Sequence, residues 1–536
     1  MRYLHRLFHT IIHLRHEQII FRIISYLKFV RGRIVPKYSL AQSQSVSIID
    51  LERLPVFINV YESFSQPSTF CFLNIKHSFS DDIDWNYSEF GKLWTYNLNY
   101  FEFLLQAGIR KETGLKLIKS YVGSWEKNFV GFEPYPMSLR IINWVKFCMR
   151  HKIVDIEISR SIFYQTKHLS RNLEFHLMAN HLLENAFAIC IGASHCGVPA
   201  LFNKGKVLLN RELNEQVLAD GAHYELSPMY HQIVLGRLLD LIQILQIRNI
   251  EVAWTEHLKS LASKMTGWLK QVSFSEKDLP LFNDCALGIA PTTTQLLHLA
   301  TSLSVSSTIV KLGESGYRKF KVGSAEMLLD IGNINPSYQP GHSHADTFSF
   351  ELYLNGSPVI VDTGTSTYIT GPRRTIERST ISHNTVSVNG QNSSDVWASH
   401  RVGRRAKVKV IRDKDEVVEA EHDGYRMDRV ICSRTVEPSE DGFIILDVLR
   451  GTEATIPCDV KPTSRLHFHP DRSVEIVGNS IIVDQRLQIA VSGNSAIFKS
   501  LYDYAPEFNM LIPATLIEIN FQRTLKMTIS ITDLNC

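Results

Sequence analysis

The chain has 536 residues, of which 44% are hydrophobic and 21% charged, and its formal net charge at pH 7 is +3. That length exceeds one ordinary core and points to two large domains, while so small a net charge gives no bulk electrostatic case for a nucleic-acid partner. Eight cysteines without a CxxC pair are too dilute for a disulfide scaffold, so free buried thiols are expected.

Met1 to Arg33 is basic and helical in pattern. Its apolar stretch from Ile19 is broken by Arg22 and Lys28 and has no small-residue cleavage site, so it reads neither as a Sec signal nor as a membrane span. Packing on the protein's own body is one expectation for it, and a peripheral membrane contact through a basic amphipathic helix is the other. From about Trp94 to Leu303 the pattern is helical, as in Ser138–Met149, Ile156–Ser170, Asn180–Ile191, Leu201–Asp220, Ser227–Ile247 and Val252–Val272. Apolar residues recur there at three and four. Consecutive helices with short connections fit helical hairpins or a toroid. Near Gly313 to Val322 the pattern changes to short alternating strands, among them Glu326–Ile331, Phe348–Leu354, Gly442–Leu449, Ser480–Val483 and Leu525–Ile531, which fit a β-sandwich.

The helical half holds three polar groupings. Pro134 to Trp144 brings Arg140, Asn143 and Trp144 together, which suits an acidic sugar: the guanidinium pairs with a carboxylate and the indole stacks on the ring. Trp94 to Tyr100 is a similar grouping. Asn180, His181 and Glu184 interrupt an apolar helix, with Asn180 and Glu184 one turn apart. Ser227 and Pro228 suit the N-cap and first position of a helix, placing Tyr230 in its first turn. The positive helix end there would favour a tyrosinate, a competent base.

The densest chemistry lies in the strand half. His342, His344 and Asp346 fall in Gly341-His342-Ser343-His344-Ala345-Asp346. An alternating strand runs to an Asn355-Gly356 turn, and Pro358 to Val361 returns Asp362 toward the histidines, with His383 following. If the strand is regular, His342 and His344 share a face. Imidazoles plus a carboxylate are ordinary zinc ligands, and a histidine left over beside the metal can do acid/base work.

Asn180-His181, Tyr230, the Gly-His-Ser-His-Ala-Asp run, Val361-Asp362-Thr363-Gly364 and Ser382-His383-Asn384-Thr385-Val386 together resemble the heparinase II/III-like polysaccharide lyases and the related alginate lyases. The resemblance implies an α+β multidomain fold, with an N-terminal incomplete (α/α) toroid followed by a C-terminal antiparallel β-sandwich. It divides the chain into a basic helical extension (1–50), a toroid (51–315) and a β-sheet domain (316–536). It implies that Asn180 and His181 neutralise a uronate carboxylate, that Tyr230 is the catalytic tyrosine and His342 the second acid/base group, and that His344, Asp362 and His383 hold zinc or another divalent metal. Tyr368, Arg373 and Arg374 are candidate substrate contacts beside Arg140 and Glu184.

The chemistry so implied is β-elimination on a 4-linked uronic-acid polysaccharide, the acidic glycan being the partner. A metal-dependent glycan hydrolase and a non-catalytic polysaccharide-binding protein of a surface-glycan system are the alternatives. The family resemblance suggests a cell-envelope or periplasmic setting, with the cytoplasm as the other location. Heparan-like, alginate-like and bacterial capsule or O-antigen uronates are all open as substrates, and the lack of a recognisable export signal leans toward a bacterial exopolysaccharide.

Overall fold

The computed structural model describes residues 2–30, 55–414, 416–453 and 456–531; positions 31–50 of the expected N-terminal extension lie outside them. Two helices, α1 (Arg2–Ile11) and α2 (His16–Val30), come first, followed by a small antiparallel sheet of Phe64–Ser65, Thr69–Phe72 and Ile75–Ser78. Next come α3 (Lys92–Tyr100), α4 (Lys111–Gly123), α5 (Pro134–Arg150), α6 (Ile156–Leu169) and α7 (Ala179–Cys196). After these come α8 (Pro199–Gln216), α9 (Pro228–Arg248), α10 (Val252–Val272) and α11 (Thr293–Ser302).

Local sequence sets several of these boundaries. Asp155 caps α6 by accepting from the Glu157 and Ile158 N–H groups, and Thr292 with Gln295 forms a capping box on α11. Ser227 accepts from Tyr230 N–H with Pro228 opening α9, as the sequence predicts. The helices then alternate. α3, α5, α7, α9 and α11 pack one against the next, while α6 and α8 lie against α7 and α10 lies against α9. This is the inner and outer layering of an incomplete (α/α) toroid.

An inner helix has neighbours on nearly every side. In α5 every residue from Pro136 to Met149 is buried, which corrects the reading of that segment as a sugar-binding face. The Arg140 guanidinium is spent on Gln165 and on the backbone oxygens of Gly131 and Asn99. Asn143 donates to Tyr100 O, and Trp144 is fully enclosed.

The C-terminal domain stacks two antiparallel sheets. The strands Tyr317–Val322, Ala325–Asp330, Phe350–Leu354 and Ser357–Ile360 form a four-stranded meander. A larger sheet is built around the 18-residue strand Leu487–Tyr504 and the 20-residue strand Ile512–Ile531. Phe320, Met327 and Leu352 of the first share one core with Val436, Ile445 and Ile529 of the second, a sandwich. Asn355 and Gly356 both have positive φ, as a tight hairpin turn requires.

Two strand expectations need correction. Gly341 to Asp346 is a loop, and the strand after it starts at Phe350 because Phe348 has a φ of 69°. Leu525–Ile531 is only the end of a much longer strand, whose hairpin tip returns to the helical domain. There Leu287 N–H donates to Pro506 O at 2.7 Å and Ala505 N–H to Thr363 O at 2.8 Å. Gly364 makes that docking possible, since a Cβ on it would stand 2.1 Å from Ala505 O.

Arg434 anchors the loops that carry the histidines. It pairs with both oxygens of buried Asp447 at 2.7 and 2.8 Å and donates to Phe348 O and Asn384 O at 2.6 and 2.8 Å. Arg434→Ala would leave Asp447 buried and unpaired, so a loss of about 3–5 kcal/mol of unfolding free energy is expected. The shift in denaturant midpoint measures it.

Candidate active site

Between the toroid and the sheet domain lies a cleft of about 1370 Å³, lined by Asn180, His181, Glu225, Tyr230, His342 and Tyr368 among others. Four chain segments deliver these groups: the first turn of α7, the run from Glu225 into the first turn of α9, the His342 loop, and the segment after the strand Ser357–Ile360. Met178 and Ala179 enter α7 with φ of 61° and 52°. That turn brings Asn180 and His181 to the cleft wall.

His342 is at the centre. Its Nδ1 lies 3.0 Å from Asp284 Oδ2, and its ring stacks on Tyr230 with centroids 3.8 Å apart. Asp284 accepts from both terminal nitrogens of Arg374 and stands 2.9 Å from His344 Nε2. Burial, the largest influence, pushes its carboxyl upward, but Arg374 and the two histidines outweigh that and hold it well below the usual range. An ionised Asp284 only accepts, so Nδ1 of His342 carries the proton and Nε2 presents its lone pair. Asn180 Nδ2, 3.3 Å away, faces that lone pair.

Tyr230 Oη lies 3.3 Å from Tyr368 Oη. The expectation that the α9 terminus lowers the Tyr230 pKa is overturned: burial first, then Tyr368, raise it well above 10. A helix end supplies about half a charge, and desolvation of the phenolate outweighs it. Tyr230 in the free cleft is therefore a phenol, a proton donor.

His181 keeps 32% of its side chain exposed, and its Nδ1 lies 3.1 Å from Glu174 Oε1. Burial lowers its pKa, but Glu174 and then Glu225 raise it further, for a net upward shift. Glu184 and Arg374, read as substrate contacts, are not available for that role. Glu184 is buried against Arg237 at 3.3 Å, and Arg374 is fully buried, committed to Asp284 and to Ser399 O. Arg373 is spent on Glu377 and Asp503. Of the Trp94–Tyr100 grouping, Tyr96, Asn97 and Tyr100 line the cleft with Tyr135, while Trp94 is core.

The sequence reading missed Asp284, Glu225 and His400. Glu225 accepts from Asn180 Nδ2 at 2.9 and 3.2 Å and lies 4.0 Å from His342 Nε2; its position two residues before a helix N-cap was the available signal. Asp284 and His400 sit in loops without any local pattern.

Two groups bear on metal binding. Asp284, His342 and His400 each offer a ligand atom within 4.8 Å of one another, though Arg374 already occupies both Asp284 oxygens. Deeper down, His383 Nδ1 lies 2.7 Å from Asp362 Oδ2, and the His344 and His383 rings are 5.4 Å apart. Among the described residues, His344 Nδ1 and His383 Nε2 are buried ring nitrogens without a hydrogen-bond partner, and Asp346 Oδ2 also lacks one. Burial pulls the His383 pKa down, but Asp362 outweighs it and shifts it upward. The expected set of His344, Asp362 and His383 is thus not the one whose ligand atoms converge: among the described residues that is Asp284, His342 and His400, and Asp362 is engaged by His383 Nδ1 and by the Gly364 N–H.

The model of the heparinase II/III N-terminus matches residues 156–297, and that of the heparinase II/III-like C-terminal domain matches residues 305–531. The chain belongs to the heparinase II/III-like family. Heparin-sulfate lyases of Bacteroides stercoris and Pedobacter heparinus are 25% and 24% identical over 211 and 214 residues, or 34% and 35% of this chain. The aligned stretch spans about a third of those relatives, 31% and 32% of their length. A crystal structure of heparinase III superposes with a TM-score of 0.62 at 16% identity, covering 95% of this chain and 89% of that one. A heparan sulfate lyase from Pedobacter heparinus gives 0.57 at 16% identity, over 86% and 80%. At such identities the superpositions establish a shared fold.

The His181–Glu174 pair yields a pH expectation. Since the folded pKa of His181 is raised above 6.5, its contribution to stability is complete below about 6.5 and fades as pH climbs through the folded value. Glu174 is held below its ordinary value, against burial, chiefly by His181, so its contribution is lost as pH falls through that lowered value. Glu174→Gln is expected to move the His181 midpoint downward, read from the imidazole proton shifts in an NMR titration. An unmoved midpoint would contradict the pairing.

Proposed function

We propose that the chain is a polysaccharide lyase that cuts a 4-linked uronic-acid glycan by β-elimination. One observation carries the reading: an imidazole oriented by a buried carboxylate lies stacked on a phenol in a cleft of about 1370 Å³. Family membership and the heparin-sulfate lyase relatives support it.

The geometry suggests how the residues share the work. Protonated His181 hydrogen-bonds the uronate carboxylate, joined by Asn180 once substrate draws away the Nδ2 hydrogen that faces His342 Nε2 in the free cleft, so that negative charge developing at C5 is stabilised. His342 Nε2 takes the C5 proton. The C–H electrons form the C4–C5 double bond as the C4–O4 bond breaks, and Tyr230 Oη donates its proton to departing O4. Tyr368, hydrogen-bonded to Tyr230, holds that phenol in place and re-supplies its proton, while Glu225 fixes the Asn180 amide. The aromatic wall of Tyr96, Tyr100 and Tyr135 offers faces for neighbouring sugars.

Charge on the cleft wall bears on the substrate. Of the four lysines and arginines that line it among the described residues, Lys92 is paired with Glu133, Lys146 with Asp240, and Arg237 with Glu184 and Asp240, which leaves Lys277. Little free positive charge remains for sulfate groups, which favours a sparsely sulfated or unsulfated uronate polymer, such as a bacterial exopolysaccharide of the cell envelope.

His344, Asp362 and His383 are the residues that would hold a zinc or similar divalent cation. When bound, it would add positive charge beside the site and cross-link the two loops. The residues themselves keep His342 aimed, because His344 shares Asp284 with it.

The test is ultraviolet absorbance on a panel of uronate polysaccharides of graded sulfation. Absorbance should rise most on the least sulfated polymer. Tyr230→Phe and His342→Ala should each lower the rate by about 10²–10⁴-fold, and Tyr368→Phe by less. New reducing ends without ultraviolet absorbance would replace elimination with hydrolysis. Chelation should lower the Tm and zinc should restore it; a Tm indifferent to chelator would remove the metal from the account.

A further inference from the structure

The tip of the hairpin joining the strands Leu487–Tyr504 and Ile512–Ile531 ties three parts of the molecule together. Within the sheet domain, Ala505 N–H donates to Thr363 O at 2.8 Å and Asn509 N–H to Ser366 O at 2.9 Å. The toroid is met at Leu287, whose N–H donates to Pro506 O. The small N-terminal sheet is met at Leu73 and Asn74, the turn between its strands Thr69–Phe72 and Ile75–Ser78. Asn74 Nδ2 donates to Glu507 Oε2 at 2.9 Å and to Phe508 O at 3.0 Å, while Asn509 Nδ2 donates to Leu73 O at 2.8 Å. Leu73 and Asn74 have φ of 54° and 60°, as a tight hairpin turn requires. Two turns from opposite ends of the chain therefore interlock, each asparagine amide bonded to the backbone of the other turn.

This latch is part of the cleft: Leu73, Asn74, Leu287, Glu507, Phe508 and Asn509 all line it. It also stands beside the proposed reacting groups. Buried Phe508 lies edge-on to Tyr368 with centroids 4.9 Å apart, and Tyr368 Oη is 3.3 Å from Tyr230 Oη. The groove between the domains is thus bridged one aromatic ring away from the tyrosine pair.

We infer that the latch stops the groove on one side of the scission point, so that the protein takes a glycan by its end and releases short fragments. Cutting within a polymer needs room for the chain on both sides of the bond that breaks. Here a chain continuing past Tyr230 toward Phe508 meets a tip held by hydrogen bonds from both domains and from the N-terminal sheet. Asn74, Glu507 and Asn509 are specificity-determining residues in this scheme, since they set the length of chain that fits. Asn74 and Asn509 are exposed, so their bonds can be removed without disturbing buried Ala505 and Phe508, which anchor the tip. The inference rests on the reading of the cleft as the place where a uronate chain is cut, and it adds the mode of action.

The experiment follows product size on heparosan and polymannuronate, both unsulfated 4-linked uronate polymers, by size-exclusion chromatography with light scattering. Size is read alike for elimination and for hydrolysis. Wild-type protein should release short oligosaccharides from the outset while the remaining polymer shrinks slowly. Below saturation and at fixed polymer mass, halving the chain length should double the initial rate. The variant Asn74→Ala/Asn509→Ala should keep its Tm, because water replaces exposed hydrogen bonds, yet give longer products and a rate that depends less on chain ends. Early collapse of the polymer to mid-sized fragments by the wild type, or a rate indifferent to chain ends, would overturn the inference and leave the lyase reading intact. A double variant with wild-type product sizes and wild-type end dependence would overturn the role of the latch. No cutting of these or of the graded panel would remove the lyase reading and this inference with it.

Discussion

The buried carboxylate of Asp284 is the constraint on which the site depends. A charge with no exposure must be compensated on every side, and Asp284 meets Arg374, His342 and His344 at once. Asp284 belongs to the connection between α10 and α11, whereas all three partners come from the sheet domain. Neither domain alone could bury that charge or fix those histidines. The cleft, the inter-domain contact and the tautomer of His342 therefore follow from one electrostatic requirement.

Around that point the chemistry is divided by depth. Nearest the cleft, His342 offers a lone pair and Tyr230 a proton. Beneath them, among the described residues, His344 Nδ1 and His383 Nε2 lie without hydrogen-bond partners, near Asp346, Glu351 and Asp362. Burial, with Asp362 nearby, raises Glu351 to about 8 and Asp346 to about 6. The hairpin tip closes the same region from outside, with Phe508 edge-on to Tyr368 at 4.9 Å.

Residues legible in the sequence were those whose signal is local. The Ser227–Pro228 cap located Tyr230 because a helix start is encoded within a few residues. The histidine run stood out because five titratable groups in about forty residues are hard to explain by packing alone. Asn180 and His181 were visible as polar breaks in an apolar helix. The same rule misfired on Arg140 and Glu184, since a polar residue in an inner helix looks identical whether it faces a cleft or a buried partner. Arg374 failed for the same reason: nothing near it in sequence announces Asp284, ninety residues away.

The sequence by itself determined the order of helices and strands, the turns between them, and the presence of a histidine-rich loop, because periodicity, caps and turn residues act over one or two turns of chain. Only the tertiary structure decided which polar groups stayed free for a substrate. Availability depends on whether a partner arrives from a distant segment, as Gln165 does for Arg140, Arg237 for Glu184 and Asp284 for Arg374. It also decided the protonation of Tyr230, where desolvation, a property of the folded surroundings, outweighs the helix end that the sequence announces.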